Sequence, residues 1–308
     1  MQRLYTVVSL TANCCNVTYS AGTNFIRVML KRLPNILPLL CFFGVGFTSI
    51  PAYSQQLSVS PLVIERQAES GQARGVIDVT NRSDKPYRAR VSVAPFTYIR
   101  EGFKALESSP NDLTPYLIFS PRELVIAPGQ QRSIRFNARL LPSLPQGEYR
   151  AMFSIEELQE NNDSEQKNQV SLSVNIIATI YVRNGDIVPV LEVEKAFYDA
   201  KSKEIRLLVN NTGKATTRAI TEWNLSQNGK TVNSSILEET TIIAQGDRYI
   251  RIAYPPQGQT LIPGTYQFSG KLKWDFPKKG GDLPFNVNFT VSPEDINPEN
   301  KPTTPINN

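Results

Sequence analysis

The stretch Gln169 to Arg183, QVSLSVNIIATIYVR, constrains this chain more than any other. Val170, Leu172, Val174, Ile176, Ala178, Ile180 and Val182 are apolar and two apart. Gln169, Ser171, Ser173, Asn175, Thr179 and Arg183 between them are polar, with Ile177 and Tyr181 the exceptions. Successive side chains of a strand point to opposite faces, so period two predicts a β-strand with one apolar face. At roughly 3.3 Å per residue it would run about 50 Å, where ordinary strands have about 5–6 residues. One sandwich can cover only part of such a face. The surplus must enter a linker, meet a second domain or wait for a partner.

A chain of 308 residues carries a prior of about two domains, once its leader is set aside. Lys31 and Arg32 precede an apolar run, Leu33 to Ile50, that is short and broken by Pro and Gly. Ala52-Tyr53-Ser54 then offers small residues where a signal peptidase reads them, which places cleavage after Ser54. Met29 would be an ordinary start for this leader, making residues 1–28 an artefact of start-codon choice. The leader holds Arg3, Arg27, Lys31 and Arg32 and no acid, so 33 − 4 = 29 bases face 28 acids in the remainder. Nothing in that near-neutral balance recommends a nucleic-acid partner, which needs a concentrated basic face. Cys14, Cys15 and Cys41 leave with the leader, and an exported chain of this size can rely on its core instead of disulfides.

From Leu57 onward, short alternating segments follow one another with turn residues between. Strands are predicted at 57–66, 75–79, 87–94, 116–126, 132–138, 149–158 and along the long stretch, the pattern of an immunoglobulin-like sandwich. A second set is predicted at 190–198, 204–209, 217–225, 248–254, 266–274 and 285–291. The halves echo each other: Val76 to Ser83 matches Arg206 to Gly213, and Gln146-Gly-Glu-Tyr149 matches Pro263-Gly-Thr-Tyr266. Tyr149 and Tyr266 are candidates for tyrosine corners, in which the hydroxyl bonds backbone across a turn. The expected organisation is all-β: leader 1–54, sandwich 55–185, sandwich 186–292, and a disordered Pro/Asn-rich tail 293–308.

Chemistry is sparse. The chain has no histidine, and its cysteines all lie in the leader, which removes the common nucleophile pairs and most zinc sites. No Gly-rich loop links a strand to a helix. Glu156-Glu157 and Glu238-Glu239 are strand neighbours pointing to opposite faces, the wrong arrangement for an acid/base couple. Neither an enzyme nor a metal, cofactor or small-molecule substrate is expected.

Several segments in order resemble the periplasmic chaperones of the chaperone–usher pathway, the PapD-like proteins that escort pilus and fimbrial subunits. They are Leu57-Ser-Val-Ser-Pro-Leu-Val-Ile-Glu65, Val79-Thr-Asn81 with Lys85-Pro86, Leu124-Val-Ile-Ala-Pro-Gly129, Gly147-Glu-Tyr-Arg-Ala-Met-Phe153, the polar loop Gln159–Asn168, and the strand ending Ile180-Tyr-Val-Arg183. The resemblance implies a periplasmic chaperone without enzymatic activity, whose partners are pilin-like or other incomplete β-sandwich clients and an outer-membrane usher. It also implies donor-strand complementation, with Val170, Leu172, Val174 and Ile176 as the lent side chains. The family holds its client's terminal carboxylate with an Arg in the first strand and a Lys in the last. Val63 and Thr179 stand at those positions here, and neither can make a charge-assisted bond. Arg66 and Arg183, close by, are candidates for substitutes, with a solvated strand-end charge the expected reading of each. The alternative is a structural or adhesive two-sandwich surface protein without chaperone activity, in which the long strand is simply core.

Overall fold

The computed structural model describes residues 57–158, 175–256, 261–275 and 280–296. The chain first lays down β1 (Leu57–Ser60), β2 (Val63–Gln67), β3 (Gln72–Asn81) and β4 (Tyr87–Ala94). A hairpin of β5 (Phe96–Ile99) and β6 (Gly102–Ala105) follows. After one 3₁₀ turn at Thr114–Tyr116 come β7 (Leu117–Ser120), β8 (Glu123–Ile126), β9 (Gln131–Arg139), β10 (Gly147–Glu157) and β11 (Asn175–Asn184). They form two facing sheets, β1-β3-β9-β7 and β2-β11-β10-β4-β8. Alternate residues of each, among them Ile77, Val79, Ile134 and Phe136 against Ile64, Ala151, Phe153, Ile180 and Val182, fill the space between.

Two of the predicted strands are each divided between the sheets. Proline has no N–H to give to a ladder, and at Pro61 the chain leaves one sheet for the other. β1 pairs antiparallel with β3, whereas β2 pairs parallel with β11. The segment 116–126 divides in the same way at Pro121, β7 joining β9 and β8 joining β4.

The second sandwich comprises β12 (Leu191–Asp199), β13 (Glu204–Asn211), β14 (Thr217–Gln227), β15 (Lys230–Ile242), β16 (Gly246–Ala253), β17 (Gly264–Trp274) and β18 (Gly281–Val291). Its sheets are β12-β13-β16 and β15-β14-β17-β18, closing on Leu207, Val209, Ile250, Leu225, Phe268 and Leu272. β15 is absent from the sequence reading because its outward residues show no apolar alternation. The turn before it does carry a signal: Asn228 and Gly229 both have positive φ (51° and 74°), the two-residue hairpin geometry that Asn-Gly favours. Beyond β18 the chain makes one helical turn, Pro293–Ile296, and Ile296 packs on the second core. A structureless tail is expected there from composition, which cannot register one apolar residue finding a neighbouring core.

The echo between the halves is physical. Asn81 and Asn211 are both fully buried, and each Nδ2 donates to two carbonyls, Lys85 and Ile126 in the first half, Ala215 and Ile242 in the second. The Tyr149 hydroxyl donates to Pro145 O (3.0 Å) and the Tyr266 hydroxyl to Ile262 O (2.8 Å), so both are tyrosine corners.

Candidate functional site

β11 is where the fold leaves something open. Along its whole length it pairs with β10, from Asn184 opposite Gly147 to Asn175 opposite Glu156. On its other side β2 reaches only Thr179 to Arg183. Among the described residues no strand pairs with Asn175–Ala178 on that side. Thr179 N donates towards Leu62 O (2.8 Å). Main-chain groups two residues apart point the same way, so those of Asn175 and Ile177 face the open edge. Ile176, the one described member of the expected donor set, is half-buried against the first core. Val170, Leu172 and Val174 lie outside the described residues.

The outward face of the same sheet is organised in cross-strand rows. The parallel register sets Val63 beside Thr179, and Met152 lies opposite Thr179 on β10. Val63, Met152, Phe96, Tyr98, Phe103, Tyr181 and Ile243 form a small apolar cluster between the sandwiches. Phe96 stacks on Phe103 (centroids 5.4 Å, 20° between planes) and meets Tyr181 edge-on (5.6 Å). Thr179 is buried and satisfied by its own neighbour strand, its hydroxyl lying 3.4 Å from Leu62 O. The two positions the family resemblance marks are thus side by side and carry no charge.

The next rows are ionic. Glu65, Tyr181 and Arg150 lie in one, and Gln67, Arg183 and Glu148 in the next. Here one expectation is overturned: Arg183 is not solvated but 2% exposed. Its Nη2 donates to Glu65 Oε2 (3.0 Å) and to Thr216 O (3.1 Å), and its Nε lies 3.4 Å from Glu148 Oε2. Alternation correctly assigns Arg183 to the outer face, but it cannot say that the second sandwich covers that face. Arg66, by contrast, is exposed and donates to Arg74 O and Glu65 O.

Glu148 is the hub. Buried at 2% exposure, it accepts from Thr216 N (3.0 Å) and from the Thr216 hydroxyl, and so ties β10 to the entry of β14. Burial pushes its carboxyl up against the opposing pull of Arg150, the Thr216 hydroxyl and Arg183. Arg218 Nε lies 3.5 Å from Glu65 Oε1, adding a further cation from the second sandwich.

The β5–β6 hairpin braces the sandwiches from the other end. Arg100 at its turn meets Asp247 at 2.6 Å and 2.7 Å, and Tyr249 N donates to Arg100 O (3.0 Å). Arg248 donates to Ile99 O (3.0 Å) with its guanidinium 5.1 Å from the Tyr98 ring centroid.

Neither known family models nor the sequences of curated proteins match this chain. Solved structures do. The class 5 fimbriae chaperone CfaA shares 12% identity, aligns with 75% of this chain and 98% of its own, and has a TM-score of 0.45. A chain of the chaperone–tip adhesion subunit pre-assembly complex CsuC–CsuE, from the archaic chaperone–usher Csu pili of Acinetobacter baumannii, shares 14% over 75% of this chain and 98% of its own, at 0.46. The E. coli chaperone DraB shares 16% over 77% and 97%, at 0.41. The chain is similar to fimbrial chaperones.

Glu148, Arg150 and the β5–β6 hairpin escaped the sequence reading. A signal was present: in Gly147-Glu-Tyr-Arg-Ala-Met-Phe153, Glu148 and Arg150 flank the corner Tyr149 and therefore share the face opposite it. Alternation assigns both to the outer face, and the fold then shows Thr216 covering Glu148 there.

Proposed function

We propose that the chain is a periplasmic chaperone that holds pilus- or fimbria-type subunits, or other incomplete β-sandwiches, by lending them a strand. The observation that carries this reading is the half-paired β11, whose edge is open at Asn175–Ala178 and whose sequence continues the alternation backwards through Val174, Leu172 and Val170. An open edge supplies main-chain hydrogen bonds to an added strand, and alternate side chains supply the selectivity. Burying Val170, Leu172 and Val174 is worth about 1.5–3 kcal/mol each, and the already half-buried Ile176 adds less, before the cost of association is subtracted. Periplasmic residence accords with the leader-like segment ending at Ser54.

The test compares the wild-type protein with Leu172→Glu, both recovered from the periplasm of the source cell, with identification of co-purifying proteins and thermal melting of each form. Recovery of a small exported β-rich subunit with the wild type alone, at equal melting temperatures, supports strand donation. Recovery of nothing, with Leu172→Glu melting much lower, makes the strand core and the protein a structural two-sandwich molecule.

A further inference from the structure

In the sheet β15-β14-β17-β18, β15 pairs with β14 on one side, and among the described residues no strand pairs with its other side. The far edge of the same sheet carries Pro284, which blunts it against an added strand. β15 is the longest strand among the described residues, at 13 residues, and it has no proline. Its ladder with β14 slips near Val232 and again near Glu238, and these bulges bracket a regular run over 233–237. Within that run Ser234 N donates to the side-chain Oδ1 of Asn233 (2.8 Å), on its own strand. The main-chain groups of Ser234, and of Ile236 two residues on, therefore face the open edge.

The side chains along this edge are complementary to their own reverse. Lys230, Val232, Ser234, Ile236 and Glu238 are two apart and all exposed, Val232 at 46% and Ile236 at 66%. Read from either end, a charge is followed by an apolar residue, serine, an apolar residue and the opposite charge. Glu239 is held by Arg218 of β14 (2.9 Å), whereas Lys230 and Glu238 have no ion-pair partner among the described residues.

We propose that β15 is the contact through which two copies of this chain pair, edge to edge and antiparallel, about a two-fold axis at Ser234. In that register Val232 lies opposite Ile236 of the second copy and Lys230 opposite Glu238 of the second copy, and each pair occurs twice. An axis normal to the sheet keeps both cores on one side, so the two four-stranded sheets become one continuous sheet. Apolar pairs and opposite charges directly across an antiparallel ladder are the stabilising combinations. An edge this short gives a weak, concentration-dependent pairing. The contact lies on the second sandwich and does not rest on strand donation by β11.

Sedimentation velocity of the full chain, at loading concentrations from about 5 to about 500 µM, follows the passage from monomer to dimer. Lys230→Glu and Glu238→Lys each set like charges opposite one another twice, and each is expected to raise the dissociation constant about tenfold. Combining the two exchanges restores opposite charges, and the double variant is expected to return to within about threefold of the wild type. All these side chains are exposed, so the variants should melt as the wild type does. The proposal fails if the wild type stays monomeric throughout, if either single variant pairs like the wild type, or if the double variant does not recover. A dimer lost in Leu172→Glu but kept in Lys230→Glu would place the contact on β11, and it too would overturn the proposal.

Discussion

The two sandwiches are built with the same devices and finished differently. Both bury an asparagine at the end of a core strand, Asn81 of β3 and Asn211 of β13, and both hold a corner with a tyrosine hydroxyl four residues from its acceptor. They part at the closing strand. β18 pairs with β17 along its whole length, and its outer edge carries Pro284, a residue that cannot donate to an added strand. β11 has no proline, and among the described residues no strand pairs with Asn175–Ala178 on its outer side, where the main-chain groups of Asn175 and Ile177 point. They part again in their charges. The first sandwich buries Glu148, Arg150 and Arg183 on its outer sheet face, whereas the ion pairs of Glu204 with Arg206 and Arg251 are partly solvated. Shared devices specify the fold, so the differences are where function is to be sought.

The largest contrast is expected between the two acids. Glu148→Ala strands buried guanidinium groups and should lower stability by about 3–5 kcal/mol, since breaking a buried pair leaves its partner uncompensated. Glu204→Ala, in the more solvated cluster, should cost about 1 kcal/mol or less. Denaturant melts of both variants check this, and equal losses would erase the distinction drawn between the faces. The shared devices should behave alike instead. Asn81→Ala and Asn211→Ala each leave two carbonyls without their donor, and each should cost about 1–3 kcal/mol. Unequal losses would mean that the echo is one of shape and not of energetics.

Acid should separate the halves more gently. Burial holds the Glu148 carboxyl above its ordinary value of 4.5. Such a group binds its proton more tightly in the folded state, so the stability it contributes is complete below about pH 4.5 and is lost as pH rises through its folded value. Glu204 has the opposite sign. Burial alone would raise its carboxyl, but hydrogen bonds from Arg251 and Ser202 hold it low, so its contribution is present above the ordinary value and lost as pH falls. Asp199, held low by Ser202 and Arg206 against the effect of burial, acts in the same direction. Between pH 7 and pH 3.5 the second sandwich should therefore weaken relative to the first. Both tryptophans, Trp223 and Trp274, belong to the second core, so fluorescence reports on that half while circular dichroism sees both. A fluorescence midpoint falling below the dichroism midpoint in acid is expected. Coincident midpoints would show that the Glu148–Thr216 joint makes the halves one cooperative unit.

Much of this fold is legible in period two, because a strand's alternation is set by its own core. Tyr87–Ala94 was bounded correctly for that reason. What alternation cannot supply is the identity of whatever lies across an outward face, which is why Arg183 reads as solvated while lying beneath Thr216. Nor can it say which sheet a strand joins, which is how Pro61 and Pro121 came to divide two predicted strands. β15 shows the converse failure. With Lys230, Thr231, Val232 and Ile236 all exposed, it has little core to impose a pattern, and only its Asn-Gly turn announces it. Of the expected donor residues, Ile176 alone lies among the described residues, at the mouth of the open edge.

The smallest expected change in stability is the one that bears most directly on that edge. Asn175 directs its main-chain N–H away from β10, so proline there removes a donor the folded protein does not use, much as Pro284 does on β18. Asn175→Pro should alter the unfolding free energy by no more than about 0.5 kcal/mol, within the range of surface substitutions. It should nevertheless abolish strand addition, because an incoming strand needs that N–H. Ile176→Pro provides the contrast. Its N–H belongs to the β10 side, and its loss leaves a ladder carbonyl without its donor, at a cost of about 1–3 kcal/mol. If Asn175→Pro unfolds the protein as Ile176→Pro does, the edge is already occupied within the molecule, and the difference between β11 and β18 disappears.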